Sequence, residues 1–321
     1  MDRPPHSSSY NWQLLAALSS CPRFRHNGVA YCGAVRVREE PRFRWEPMIL
    51  RIGYDIQFEC PAAVAMVALL HVHPSRAGDL RSPDELRLEP ALDAEIYIDS
   101  FGNRCTRFLA PAGALRLNNS TLIYDSGLPD PVSPLAREVP VQKLPNEVLK
   151  YLYNSRYCEV DRFSTIALEL FGAAPSGWAR VQAVCDWVHA KVNFGYHHAR
   201  ATKTALDVFT ERVGVCRDFQ HLAVTLCRAL NIPARYATGY LGDIGVPASP
   251  DPMDFSAWFE AYLEDRWWTF DARHNHPRIG RVLMATGRDA SDVAITTSFG
   301  VADLRHFTVV TEEVPQDLTK L

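Results

Sequence analysis

From Leu50 onward apolar and polar positions alternate: Leu50, Ile52, Tyr54, Ile56, Phe58 and Cys60 interleave with Arg51, Gly53, Asp55, Gln57 and Glu59. A period of two predicts a half-buried strand. Further strand-like runs fall at 66–72, 94–98, 104–109, 115–117 and 121–124, separated by turn signals such as Phe101-Gly102-Asn103 and Pro111-Ala112-Gly113. Short strands at this spacing predict a small β-sandwich over 48–135. Gly127, Pro129, Pro131, Pro134, Pro140 and Pro145 then exclude helix and central strand, which places a domain boundary here and a linker at 136–146.

Past Leu144 the period becomes helical, over 147–153, 161–171, 179–192 and 215–230. In the last of these, Cys216, Phe219, Ala223, Leu226, Cys227 and Leu230 form one stripe, with Arg217, Asp218, Gln220 and Arg228 off it. Pro233 ends the helix by restricting Ile232. Strands are expected at 234–241, 256–263 and 267–271, the last two joined by Glu264-Asp265-Arg266 as a hairpin. A second domain is thus expected over 147–315. Residues 1–47 mix Pro, Arg, Ser and His without a period and read as a poorly ordered leader. Met48 is an alternative start, which the N-terminal peptide of the natively expressed protein would settle.

Composition narrows the class. With 321 residues, 47% apolar and 22% charged, the chain is neither disordered nor collagenous. Its 34 basic against 37 acidic residues, a net charge of -3, offer no global attraction to nucleic acid or to anionic lipid. No apolar run reaches the length of a membrane span, and Leu14 to Leu18 is too short for an export signal. The eight cysteines show no two-residue spacing of a zinc ribbon and suit a reducing compartment, so a cytoplasmic location is expected. His71 and His73, His197 and His198, and His274 and His276 each lack a third ligand at recognisable spacing; no metal or other cofactor is expected.

A cysteine at a helix N-terminus faces unpaired N–H groups and the positive end of the macrodipole, which favour thiolate. Cys216 has that place, although a lone cysteine is more often core filler and Asp218 opposes its ionisation. The neighbouring residues change the weighting. Gly214-Val215-Cys216-Arg217-Asp218, Ile232-Pro233-Ala234-Arg235, Ala257-Trp258-Phe259-Glu260-Ala261-Tyr262-Leu263 and Trp267-Trp268-Thr269-Phe270-Asp271, in this order, closely resemble the core of the transglutaminase-like cysteine hydrolase superfamily. Residues 48 to about 135 look like the small β domain that precedes this core in bacterial members. The resemblance implies an α+β, papain-like fold in which a helix-borne Cys packs on an antiparallel sheet. It also implies Cys216 as nucleophile and Asp271 as the acid that orients a base.

The family signature His-Ala-Trp reads Ser256-Ala257-Trp258 here, so Ser256 stands at the position of the base. A hydroxyl cannot accept the thiol proton near neutrality as imidazole does. His221 lies five residues beyond Cys216 and points about 140° away from it around the helix. His274, three residues after Asp271, is the candidate surrogate base, against the plainer reading of a surface-loop histidine. Ser256 and Asp271 share a sheet face in only one of two hairpin parities, which the residues leave open. Trp258, Trp267, Trp268 and Tyr262 read first as sheet core and cross-strand packing, although one tryptophan edge could line the acyl pocket, for which Trp258 and Tyr240 are the candidates.

Two functions follow. One is a thiol acyltransferase or amide and peptide hydrolase acting on a protein or peptide substrate, with Cys216 attacking a glutamine side chain or a peptide carbonyl. The other is a catalytically degenerate member that binds a peptide or protein without turnover. A redox-sensing thiol is weaker, because Cys227 is about 16 Å from Cys216 along the helix.

Overall fold

A computed structural model of the chain describes residues 46–249 and 252–315. The expected leader therefore lies outside the described residues apart from Glu46 and Pro47. Six strands come first: β1 (Met48–Cys60), β2 (Val64–Ala68), β3 (Arg87–Glu89), β4 (Ala94–Ile98), β5 (Arg104–Ala110) and β6 (Gly113–Asp125). The runs expected separately at 115–117 and 121–124 are one strand, because β6 pairs with β1 along its whole length, from Met48 opposite Asp125 to Cys60 opposite Gly113. Asn119 falls in the middle of it and is buried, its amide donating to Asp84 Oδ1 at 2.7 Å.

The second half contains α1 (Asn146–Leu149), α2 (Ser164–Phe171), α3 (Trp178–Lys191), β7 (Asn193–Phe194), α4 (Ala205–Glu211), β8 (Val213–Gly214) and α5 (Cys216–Ala229). It continues with β9 (Ala234–Leu241), β10 (Ser256–Leu263), β11 (Arg266–Phe270) and β12 (Arg281–Gly287), and closes with β13 (Thr296–Ser298) and β14 (Asp303–Glu313). The antiparallel sheet β11-β10-β9-β12 carries α5 on one face. Phe259, Ala261, Leu263 and Phe270 of the sheet meet Phe219, Leu222, Ala223 and Leu226 of the helix in one buried cluster, which Val181, Val184 and Val188 of α3 close from the other side.

The stripe expected on α5 is real, but its opposite face does not meet water. Asp218, Gln220, His221, Thr225 and Arg228 are all buried. Arg228 donates to the carbonyls of Ala234 and Tyr153, each at 3.0 Å, and to that of Arg288. A buried charge is tolerable when such acceptors meet it, so this helix is central rather than amphipathic.

The last two strands correct the domain span expected over 147–315. β14 pairs antiparallel with β1, from Leu50 opposite Glu313 to Glu59 opposite Asp303, and β13 pairs with β2. The sandwich therefore consists of sheets β14-β1-β6-β3 and β13-β2-β5-β4, facing each other through Leu50, Ile52, Ile56, Met66, Phe108 and Leu117. Tyr240, Val282 and Met284 of the second sheet system belong to the same buried cluster, so sandwich and core share apolar packing. The 136–146 segment is likewise docked rather than a free linker. Ala136 O accepts from Trp178 N at 2.9 Å, and Arg137 O accepts from Glu264 N at 2.8 Å. Gly177, at φ 88°, is needed there, because a Cβ would stand 2.2 Å from Ala136 O. Among the described residues no helix is long and apolar enough to cross a membrane.

Candidate active site

Gly214 to Asp218 turns the chain from β8 into α5. Asp218 Oδ2 accepts the Val215 N–H at 3.0 Å and caps the first turn. A Cβ on Gly214 would come 2.7 Å from the Asp218 side chain, so the glycine before Cys216 is required by the carboxylate after it. Arg217 Nε and Nη2 both donate to Asp218 Oδ1 at 3.1 Å, which offsets the charge that opposes a thiolate.

Of the described cysteines, Cys216 is half-buried and the others are buried. Burial pushes its thiol up to about 11; Arg273 and the backbone N–H groups of Arg217 and Ala257 act the other way, and Asp254 adds to the rise. The helix terminus therefore does not leave a thiolate at rest, because desolvation outweighs it. Chemistry at this sulfur needs a base.

The hairpin fixes the register of β10 against β11. A two-residue turn, Glu264-Asp265, joins β10 to β11, with Glu264 at φ 58° and Leu263 opposite Arg266. The pairing runs to Phe259 opposite Phe270, where β11 ends, and Asp271 follows in the turn beyond it. Ser256 is 7% exposed, and its Oγ is buried with no hydrogen-bond partner among the described residues.

Asp271 is buried where the chain reverses after β11. Its Oδ1 accepts from Gln220 Nε2 at 3.1 Å, Arg273 N at 3.0 Å and His274 N at 3.1 Å. Its Oδ2 meets His274 Nδ1 at 2.9 Å and Arg281 Nη2 at 3.3 Å. Burial alone would raise this carboxyl, but the His274 hydrogen bond and the Arg281 charge outweigh it and hold it well below the ordinary carboxylate range. With Nδ1 directed at Asp271, Nε2 is the ring nitrogen left to exchange a proton, the tautomer being assigned from the hydrogen bond.

His274, Cys216 and Ser256 line one cavity of ≈160 Å³ together with Asp254 and Arg273. Arg273 stacks over Phe194 at 3.8 Å. A second cavity of ≈560 Å³ begins on another side of Cys216 and Ser256 and is walled by Val215, Tyr236, Val293, Ile295 and Phe307. Cys216 thus stands between a charged recess and a mainly apolar one.

Three other histidine and aromatic positions resolve differently. His221 points away into the core, as the helical angle implies. Its Nε2 accepts from Ala290 N at 3.1 Å, its ring stacks on Tyr157 at 4.9 Å, and burial holds its pKa well below the usual histidine value. Trp258 and Tyr240 do not line the cavities beside Cys216. Both are about 1% exposed: Trp258 lies beneath the Arg281 guanidinium, and Tyr240 packs on Phe255 at 5.2 Å. Tyr240 belongs to the buried cluster of the sandwich, whereas the β9–β10 register sets Trp258 on the other face of the sheet. The residues that the sequence did not single out are Gln220, Arg273, Asp254, Arg281 and Asp130. Gln220, one turn beyond Cys216 on a helix whose polar side reads as solvent-facing, instead ties α5 to Asp271 and accepts from Ala272 N at 3.2 Å.

The family model described as the transglutaminase-like superfamily matches residues 164–272, a span from α2 to the turn after β11. A crystal structure of a candidate cysteine protease from Cytophaga hutchinsonii is 30% identical to this chain. It covers 85% of this chain and 92% of its own, with a TM-score of 0.72. An uncharacterised protein of Mycobacterium leprae is 26% identical over 226 residues, which are 67% of this chain and 80% of that protein.

Proposed function

Because this chain belongs to the transglutaminase-like superfamily, we propose that it is a thiol acyl-transfer enzyme that acts on peptide or protein amides, with Cys216 as nucleophile and His274 as base. One observation carries the reading. The imidazole absent at position 256 is present at 274, tied by Nδ1 to Asp271 and facing the same cavity as Cys216. His274 Nε2 takes the thiol proton as the sulfur–carbon bond forms, and Asp271 stabilises the resulting imidazolium. The Cys216 and Ala257 N–H groups, beside the sulfur at the helix start, are the donors available to the oxyanion. The imidazolium then protonates the departing amine as the carbon–nitrogen bond breaks, leaving a thioester on Cys216. Water or a second amine attacks that thioester and regenerates the thiol.

The apolar cavity suits the acyl side of a substrate, and the charged recess the side that leaves. The description of the Cytophaga protein as a cysteine protease favours water over an amine as acceptor. The test is incubation of the full chain with p-nitrophenyl acetate, with every cysteine peptide followed by mass spectrometry. A burst of p-nitrophenolate with acetyl on Cys216 is expected, the buried Cys158, Cys185 and Cys227 remaining unlabelled. No acetyl on Cys216 overturns the reading and leaves a peptide-binding protein on a hydrolase fold.

A further inference from the structure

Arg281 opens β12, is 9% exposed, and stands between two carboxylates. Its Nη2 is 3.3 Å from Asp271 Oδ2 and 3.0 Å from Asp130 Oδ2, and its Nε is 3.1 Å from Asp130 Oδ1. The guanidinium lies 4.6 Å from the centre of the Trp258 ring. Asp271 Oδ2 is the oxygen that also meets His274 Nδ1. Asp130 arrives on the segment leaving β6, fixed by reciprocal bonds with Arg278: Asp130 N to Arg278 O at 2.9 Å, and Arg278 N to Asp130 Oδ2 at 3.0 Å.

A carboxylate that already faces a guanidinium supports an imidazolium less strongly than one that faces nothing else. Asp130 absorbs part of the Arg281 charge and returns some of that support. We propose that Arg281 is a positioning residue that sets the basicity of His274 through Asp271, with Asp130 as its counterweight; this rests on His274 being the base.

The other charges around His274 are the same in all three variants below. On its own turn are Arg273, Arg278 and His276, whose ring centre is 6.2 Å away. From α3 come Asp186, which accepts from Asn275, and His189, which bonds Arg273 O. Across the cavity stand Asp243, Asp254 and Cys216.

The experiment is the pH dependence of Cys216 acetylation by p-nitrophenyl acetate in the full chain, for wild type, Arg281→Gln, Arg281→Lys and Asp130→Asn. Loss of Arg281 frees Asp271 for the imidazolium and moves the acid limb of the profile upward by about half to one pH unit. Asp130→Asn, which keeps shape, leaves Arg281 more fully on Asp271 and moves the limb downward. Arg281→Lys falls near wild type. Damage to packing lowers the rate without opposed shifts, so limbs that move together, or not at all, overturn the proposal while leaving His274 as base. A wild type that is not acetylated overturns both.

Discussion

His274 Nδ1 meets Asp271 Oδ2 at 2.9 Å across a three-residue turn, and His274 lines the same cavity as Cys216. With the thiol pushed up to about 11 by burial, nearly all of it is protonated at neutral pH, and its reactivity depends on proton removal during attack. Replacing His274 with Gln should lower Cys216 acetylation at pH 7.5 by about 10²- to 10⁴-fold. The deficit should narrow as pH rises toward the thiol's own titration, where thiolate forms without a base. Stopped-flow acetylation across pH 6 to 10.5 measures both effects (about one decade per pH unit is the limiting slope). A deficit that persists unchanged at the alkaline end would place His274 in folding rather than in proton transfer.

The Ser256 hydroxyl is buried and, among the described residues, has no hydrogen-bond partner. Removing such a group relieves desolvation and breaks no hydrogen bond, so Ser256→Ala should leave the melting temperature unchanged or higher. Cys216 acetylation should stay within about threefold of wild type, since a serine takes no part in the proton exchange. Ser256→His forces an imidazole into a site that is 7% exposed and should cost about 1–3 kcal/mol of stability. Calorimetry and acetylation on the two variants decide the matter, and a large rate loss in Ser256→Ala would return this residue to the chemistry.

The elements that position Cys216 were legible because their signals are local. The strands expected at 234–241 and 256–263 and the helix opening at Cys216 are where the apolar periods put them. Asp271 and His274 follow from the same stretch of chain. What escaped depends on what covers each surface. Trp258 and Tyr240 look like pocket aromatics until both are seen to be buried, Trp258 beneath the Arg281 guanidinium and Tyr240 in the sandwich cluster. Gln220 and Arg228 look solvent-facing until α3 and the sheet enclose the helix. The register of β10 against β11 turned on whether Glu264 could adopt a left-handed φ of 58° and close a two-residue turn, which no period encodes. Arg281 and Asp130 are 151 positions apart, so nothing local announces their contact.

His221 gives the fold a pH dependence separate from catalysis. Its ring is fully buried between Tyr157 and Tyr236 and held neutral by desolvation. In the unfolded chain it titrates near 6.5. A folded pKa below the unfolded one means that the unfolded state binds the extra proton first. The stabilising contribution is therefore complete above about pH 6.5 and declines as pH falls toward the depressed folded value. Urea denaturation at pH 7.5, 6 and 5 should show this decline in wild type. His221→Phe keeps both ring contacts, loses the acceptor for Ala290 N, and should be less stable at pH 7.5 but flatter below it. Equal slopes for the two proteins would mean that another group carries the dependence.

The C-terminal strands make the sandwich and the core inseparable. β14 pairs with β1 from Leu50 to Glu59, and β13 with β2, so the chain's last described elements complete sheets begun by its first. Without them β1 becomes an unpaired edge that is long and carries the buried Leu50, Ile52, Ile56 and Phe58, an arrangement prone to pairing with other chains. Val309, part of the same buried cluster, would also be lost. A chain ended after Ile295 retains the family-matched span 164–272 together with Cys216, Asp271 and His274. If the core were self-sufficient, that chain would stay soluble and acetylate on Cys216. The shared cluster through Tyr240, Val282 and Met284 argues otherwise, since loss of sandwich packing exposes these side chains of the core sheet. The truncated chain should aggregate on expression or unfold without a cooperative transition, and circular dichroism with analytical ultracentrifugation reads either result. A soluble, cooperatively folding and reactive truncation would show instead that the second half stands alone.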